Sequence, residues 1–330
     1  MVHKIWDPFP EVQVGLERVK AIMSSELSIN HPEVKAKIRE YIDAPGKYLR
    51  AGLCLYLARE VEGEIPEGKL YLAASLEMLH LATLIHDDVI DHADVRRGVD
   101  AIHQQYSNRI AIYAGDYLLA YAGRLALIGT EKLNVDKEAF GFTNRRVIER
   151  ILAGELSQLM NQNKSTMTMK DYLTQIKGKT AFLFALSCQI GAYHSGTSKK
   201  ESRLAFNMGQ AIGMAFQIKD DLIDYQLSEK DSGKPRMQDI RNGIYTAPIL
   251  FANQMRDGIS LSSLSEKEGN WSENEISELY NKLENLGVFD KTEDLVRAYL
   301  SKFSGFGKRL QLLNFSTLET FVYQVMKRNF

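Results

Sequence analysis

Apolar residues recur every three or four positions along most of this 330-residue chain. Leu70, Ala73, Ala74, Met78 and Leu81 share one helical face with Glu77, and Ile148, Ile151, Leu152, Leu156 and Leu159 form another such series. The spacing predicts helices at roughly 10–28, 32–43, 47–62, 67–91, 107–128, 136–161, 169–193, 199–226, 239–256, 272–286 and 310–328. Proline falls at 8, 10, 32, 45, 66, 235 and 248, so Glu67 to Lys234 is proline-free. That stretch is rich in Ala, Leu, Met, Lys, Glu and Gln, which favour helix, and lacks the regular turn punctuation of a sheet protein. The run TAFLFALSCQIGAY (180–193) is apolar on every face, as expected of a helix at the centre of a large bundle. The expected fold is all-α, a single large helical bundle forming one domain over 1–330, with the polar segment 257–274 as its main surface loop.

Composition narrows the function. Lys+Arg 41 against Asp+Glu 42 leaves almost no net charge, which argues against a general nucleic-acid binder. The two cysteines, Cys54 and Cys188, sit in apolar stretches and suggest neither a disulfide framework nor a structural zinc site. The N-terminus has no basic-then-apolar secretory pattern, and no run approaches the roughly 20 apolar residues of a membrane span. A cytoplasmic protein without a stable membrane span is expected.

Two pentads share one pattern, Asp87-Asp88-Val-Ile-Asp91 and Asp220-Asp221-Leu-Ile-Asp224. Each closes a long apolar helical run. Positions i, i+1 and i+4 set three carboxylates along one helix edge, where they repel one another and oppose the helix dipole. A bound cation would relieve both. Oxygen donors without nearby cysteine suit magnesium, which keeps waters and accepts substrate phosphates as ligands. Arg96-Arg97-Gly98 follows the first pentad and Lys234 the second. Gly46-Lys47-Tyr48-Leu49-Arg50 and Gly178-Lys179-Thr180 stand farther away, with Lys47 and Arg50 three apart near a predicted helix start. Each basic residue alone reads as an ordinary surface charge; as a set they suit phosphate binding. His80 alone reads as a histidine on an apolar helix.

The set resembles the trans-isoprenyl diphosphate synthase (polyprenyl synthetase) family over roughly residues 40–250. HLATLIHDDVIDHADVRRG (80–98) is similar to its first aspartate-rich motif and GMAFQIKDDLID (213–224) to its second. GDYLLA (115–120), GELSQL (154–159) and IKGKTAFLF (176–184) lie between them in the family's order. The resemblance implies an isoprenoid-synthase bundle around a central cavity, with the two motifs facing each other at its mouth. It implies that Asp87, Asp88, Asp91, Asp220, Asp221 and Asp224 face magnesium, usually three ions with the bound diphosphate. Arg96, Lys179, Thr180, Gln217 and Lys234 would hold an allylic diphosphate, with Lys179, Thr180 and Gln217 closest to the chemistry. Lys47, Arg50, His80 and Arg97 would hold isopentenyl diphosphate, and Phe216 would line the space where the cation forms. The implied reaction is condensation of the two substrates into a linear all-trans prenyl diphosphate.

Several positions depart from the family pattern. Pro45 stands for a second glycine, Tyr48 for a basic residue, Ala51 and Asp100 for prolines, and Ile244 for a lysine. Chain length follows from geometry, since an isoprene unit spans about one helical turn. The positions four and five before Asp87, often aromatic in short-chain members, are Thr83 and Ala82; Leu79 and Ser75 lie deeper and are not aromatic either. A product of roughly six to eight units is expected, with geranylgeranyl or farnesyl diphosphate as the alternative. A class I terpene cyclase would keep one aspartate motif and lack the isopentenyl-binding cations. The family implies a homodimer, and a small partner subunit of a two-component synthase is the other arrangement.

Overall fold

The computed structural model describes residues 2–134, 146–226, 236–267 and 269–327. These residues are overwhelmingly helical. The long elements are α1 (Pro10–Ser25), α2 (Pro32–Asp43), α3 (Leu49–Glu62), α4 (Glu67–Ile90), α6 (Asn108–Lys132), α7 (Val147–Met160), α9 (Phe182–Gly191) and α10 (Lys199–Gln226), followed by α14 (Glu273–Asn285), α15 (Val288–Leu310) and α16 (Phe315–Lys327). Short helices α5 (Ile102–Gln105), α8 (Met169–Ile176), α11 (Gln238–Arg241), α12 (Ala247–Asn253) and α13 (Leu261–Ser265) join them. The described strands are one hairpin, β1 (Val95–Arg96) and β2 (Val99–Asp100).

Contacts gather the described residues into two compact units, one within Met1–Arg145 and Leu186–Phe206, the other within Arg146–Ala185 and Asn207–Phe330. In the first, α4 is buried over most of its length, and α1, α3 and α6 pack on it. It ends where His92 takes a left-handed conformation (φ 52°), with the Ala93 N–H donating to the Asp88 carbonyl at 2.9 Å. In the second, α8 continues into a π-helical turn, Lys177–Ala181, before α9. Phe184 and Phe216 pack there with ring centres 5.3 Å apart.

The helical fold class is as expected; several boundaries are not. A 23-residue helix, α15, fills 288–310, where no element was anticipated. Its buried residues Phe289, Thr292, Val296, Leu300 and Phe303 do follow helical spacing, interleaved with many charges. The single helix expected at 239–256 is split, because Gly243 turns at φ 69° and Pro248 starts a new helix. Segment 257–274 contains α13, whose Leu261 and Leu264 are buried. Of the helix expected at 136–161, residues 136–145 lie outside the described set, and α7 accounts for the rest. Cys54 and Cys188 are free and buried. No described helix is long and apolar enough to cross a membrane.

Lys69 is fully buried in the first unit. Its Nζ donates to the carbonyls of Ile190 and Tyr193, each at 2.5 Å, and of Gly191 at 3.4 Å, while Glu62 lies 3.6 Å away. The Ile190 and Gly191 carbonyls end α9 and Tyr193 lies just beyond, a helix C-terminus where the dipole favours a cation. Burial lowers the lysine's pKa, with Glu62 opposing the shift. Lys69→Met strands these carbonyls and is expected to destabilise the protein by about 3 kcal/mol. Denaturant unfolding checks this, with native helical circular dichroism before the transition.

Candidate active site

The first pentad ends α4, and each aspartate meets a different environment. Asp87 is half-buried, Asp91 is exposed at the cap, and Asp88 is buried. The Asp88 carboxylate accepts from Tyr41 Oη at 3.3 Å and from Arg96 Nε at 2.7 Å, with Arg96 Nη2 at 2.5 Å. Burial first, then the Asp88 charge, raises the Tyr41 phenol pKa and keeps it a donor. Tyr41 also accepts the Ile102 N–H at 3.1 Å, tying α2 to the residues after the hairpin. Arg96 reaches Asp88 because β1 and β2 fold back through Arg97-Gly98, both at positive φ (52° and 81°), a two-residue turn that glycine eases. Val95 pairs with Asp100 at a position whose N–H the ladder does not use, so aspartate serves there as well as the family's proline.

Two of the other basic residues expected at the site, His80 and Arg97, line one small cavity together with Tyr41, Tyr48 and Glu77, and Lys47 and Arg50 are not among its lining residues. The Arg97 guanidinium lies beside Gly46, where a Cβ would approach Nη1 to 2.9 Å. Lys47 and Arg50 are not one helical turn apart as expected, because Tyr48 is left-handed (φ 47°) and α3 begins only at Leu49. Tyr48 is buried, and its hydroxyl donates to the Ile42 carbonyl at 2.5 Å. The Ala51 N–H donates to buried Glu77 at 2.9 Å, a bond that proline at this position would forfeit.

The second pentad closes α10 with a similar build. Asp220 is exposed and Asp224 half-buried, while Asp221 is buried. Asp221 accepts from Tyr172 Oη at 2.5 Å and Gln217 Nε2 at 2.7 Å; Gln217 in turn accepts from Thr180 Oγ1 at 2.6 Å. Burial, reinforced by Asp220 and Asp224, raises Asp221 to about 7 against the lowering effect of these hydrogen bonds. Asp224 accepts the N–H groups of Gln238 and Asp239, both at 3.1 Å. Asp239 is a further carboxylate at this cluster; burial and then Asp224 raise its pKa, and Lys179 opposes them. Lys179 pairs with Glu155 at 2.7 Å. That contact depends on Gly154, whose Cβ would lie 2.5 Å from the Lys179 nitrogen. Lys234 lies outside the described residues.

Sequence reasoning missed Tyr41, Glu77, Tyr172 and Asp239, which mark themselves by no motif, and Glu155, which the GELSQL segment contained. Among the described residues no three His, Cys, Asp or Glu side chains converge to hold a metal ion. The hydrogen bonds explain this: Asp88, Asp221 and Asp224 turn toward protein donors. The donor set nevertheless fits magnesium, which takes one or two carboxylates and completes its octahedron with water and phosphate oxygens. Asp221, buried and pushed up by its neighbours, is the mark of a carboxylate cluster short of positive charge.

An all-helical fold with two such acidic helix ends, each with its own basic and hydroxyl partners, defines a protein of the isoprenoid-synthase type. The chain belongs to the polyprenyl synthetase family, whose profile matches residues 31–283. It is 38% identical over 211 residues to heptaprenyl diphosphate synthase component 2 of Bacillus subtilis. That match covers 64% of this chain and 59% of the relative. A geranylgeranyl pyrophosphate synthase from Lactobacillus brevis has the same fold, with a TM-score of 0.86 at 29% identity over 98% of this chain and 99% of that one. A polyprenyl synthase from Caulobacter crescentus, complexed with calcium and isoprenyl diphosphate, superposes with a TM-score of 0.85 at 27% identity over 98% and 97% of the two chains.

A stability test follows from Asp221. Its folded-state pKa of about 7 exceeds its ordinary value of 3.8, so ionising it costs the fold stability. That cost is absent below pH about 4, grows as pH rises, and is full above about 7. Without added magnesium, Asp221→Asn is expected to melt above the parent protein at pH 8, the gap closing toward pH 4. Thermal melts across that range check it; a gap independent of pH would contradict the assignment.

Proposed function

We propose that this chain, acting as one catalytic domain in the cytoplasm, condenses isopentenyl diphosphate with an allylic diphosphate to a linear all-trans prenyl diphosphate. The observation that carries the proposal is the repeated pentad, each with a buried middle aspartate held by a tyrosine, in a member of the polyprenyl synthetase family. In this reading Asp87, Asp88, Asp91, Asp220, Asp221 and Asp224 serve the magnesium ions, about three with the bound diphosphate. Magnesium, when bound, neutralises charge on the leaving diphosphate. That the Caulobacter crescentus structure is a complex with calcium and isoprenyl diphosphate supports a divalent metal and a diphosphate as ligands here.

The residues of the chain divide the remaining work. Arg96, Lys179 and Lys234 place positive charge on the allylic diphosphate as its C–O bond breaks, where preorganised charge lowers the barrier most. The Thr180–Gln217–Asp221 chain fixes the orientation of Gln217, and in this reading Thr180 and Gln217 serve the same group. Lys47, Arg50, His80 and Arg97 hold isopentenyl diphosphate so that its double bond attacks the allylic carbon. The carbon beside the resulting cation then loses a proton to the departed pyrophosphate, and the new double bond forms. Phe216, packed on Phe184, lines the space for the cation and keeps water out.

A product of roughly six to eight units is proposed because Ala82 and Thr83 are small, leaving no aromatic floor within about one turn and a half of Asp87. The Bacillus subtilis relative, a heptaprenyl diphosphate synthase component, agrees; the Lactobacillus brevis geranylgeranyl pyrophosphate synthase keeps geranylgeranyl diphosphate as the alternative. The word "component" in the first name favours a second reading, a catalytic subunit requiring a small partner. Exposed Ile112, Tyr113 and Leu127 on α6 offer an apolar surface for a second copy or such a partner.

Incubation with radiolabelled isopentenyl diphosphate, magnesium and allylic primers is expected to give magnesium-dependent linear products, their length read by chromatography. Lys179→Ala is expected to lower turnover about 10²-fold with the fold intact. No incorporation by folded protein with any primer would refute the single-chain reading, and restoration by a co-purified small subunit would establish the second.

A further inference from the structure

The N-terminal segment carries no charged motif, yet it reaches one of the proposed phosphate-binding loops. Trp6 is completely buried, and its Nε1–H donates to the Lys47 carbonyl at 2.7 Å. Its ring lies flat on the start of α3, at Gly52, where a Cβ would come within 1.9 Å of the ring carbon Cζ2. Any side chain at Gly52 would push the indole away. Phe9 packs edge-on against Trp6 at 6.1 Å and against Tyr56 at 5.2 Å, so the ring is held from α3 as well.

The loop that Trp6 grips is not one the backbone would adopt unaided. Tyr48 sits in the left-handed region, which costs a non-glycine residue roughly 1 kcal/mol or more and persists only where surroundings over-determine it. Three anchors do so here. Trp6 fixes the carbonyl before Tyr48, the Tyr48 hydroxyl fixes Ile42, and Glu77 fixes the Ala51 N–H just beyond. Gly46 and Arg97 close the fourth side. Two of the anchors come from residues far along the chain, and Trp6 acts on the Lys47 peptide itself.

We infer that Trp6 is a positioning residue for the isopentenyl diphosphate subsite: its indole N–H holds the Lys47 peptide so that Lys47 and Arg50 address one diphosphate. The inference rests on the proposed function and adds to it a role for the N-terminal segment. Trp6 touches no reacting atom; it acts through the loop at 44–51.

The test is Trp6→Phe, which keeps an aromatic ring in the N-terminal segment but removes the hydrogen bond and part of the packing on Gly52. Isopentenyl diphosphate is titrated into the protein by calorimetry without allylic substrate, and KM and kcat are then measured for both substrates. The expected result is a rise of about ten-fold in the isopentenyl diphosphate Kd and KM. The allylic KM and kcat stay near parental values, and hydrogen exchange quickens at 44–51. Lys69→Met, destabilised in the same unit away from this loop, is the control and leaves the isopentenyl diphosphate KM unchanged. Should Trp6→Phe bind isopentenyl diphosphate as the parent does, or lower kcat and melting temperature with no change in that KM, the inference is overturned while the proposed function stands. A parent protein that binds no isopentenyl diphosphate overturns both.

Discussion

A carboxylate buried at the C-terminal end of a helix is doubly disfavoured, by desolvation and by the dipole, and this chain maintains two of them. Asp88 and Asp221 are the middle members of their pentads, and each is held by a tyrosine hydroxyl from another helix with one further donor. The partners differ in kind. Asp88 has a guanidinium, which compensates its charge directly, whereas Asp221 has only neutral donors. Burial raises the Asp221 carboxyl to about 7 although it stays hydrogen-bonded. Much of the local architecture serves these contacts: the hairpin that returns Arg96, the π-helical turn that presents Thr180 to Gln217, and the α2 and α8 tyrosines.

Gripping the middle aspartates decides what the outer ones can do. Asp87, Asp91 and Asp220 are left half-buried or exposed, and Asp224 is shared with two backbone N–H groups. Neither pentad therefore gathers three carboxylates about one point in the described structure. A magnesium ion, which favours near-octahedral oxygen and gives up water reluctantly, would find one or two protein ligands per site and need the rest from phosphate and water. Metal and diphosphate would then bind as a unit. Such an arrangement suits a reaction in which charge accumulates on the departing diphosphate, since the positive groups are fully engaged only when that group is present.

The sequence made the fold class readable, and marked the charged residues of the candidate site, for physical reasons. Helical spacing in α4 and α10 is strong because both are buried along their length, and the pentads stand out because three clustered acids rarely end an apolar helix without cause. Other parts were hidden. Tyr41, Tyr172 and Glu77 look like any residue of an amphipathic helix, and their roles arise from partners 26 to 49 positions away. Tyr48 gives no sign that it will turn left-handed, so the helical pairing of Lys47 with Arg50 was a reasonable expectation that one backbone angle undid. The α15 helix escaped notice because dense charges and two glycines masked its apolar stripe. Trp6 lay in a segment with no chemistry of its own, and only the fold shows which carbonyl it meets.

Under the proposed function, the two aspartate clusters would hold metal only together with a diphosphate. Calorimetric titration of magnesium into the protein, with and without saturating inorganic pyrophosphate, tests it most directly. The account predicts weak magnesium binding alone and a large gain in affinity with pyrophosphate, lost in a variant carrying Asp87→Ala and Asp220→Ala. Tight magnesium binding without pyrophosphate, or joint binding that survives removal of those aspartates, would contradict it.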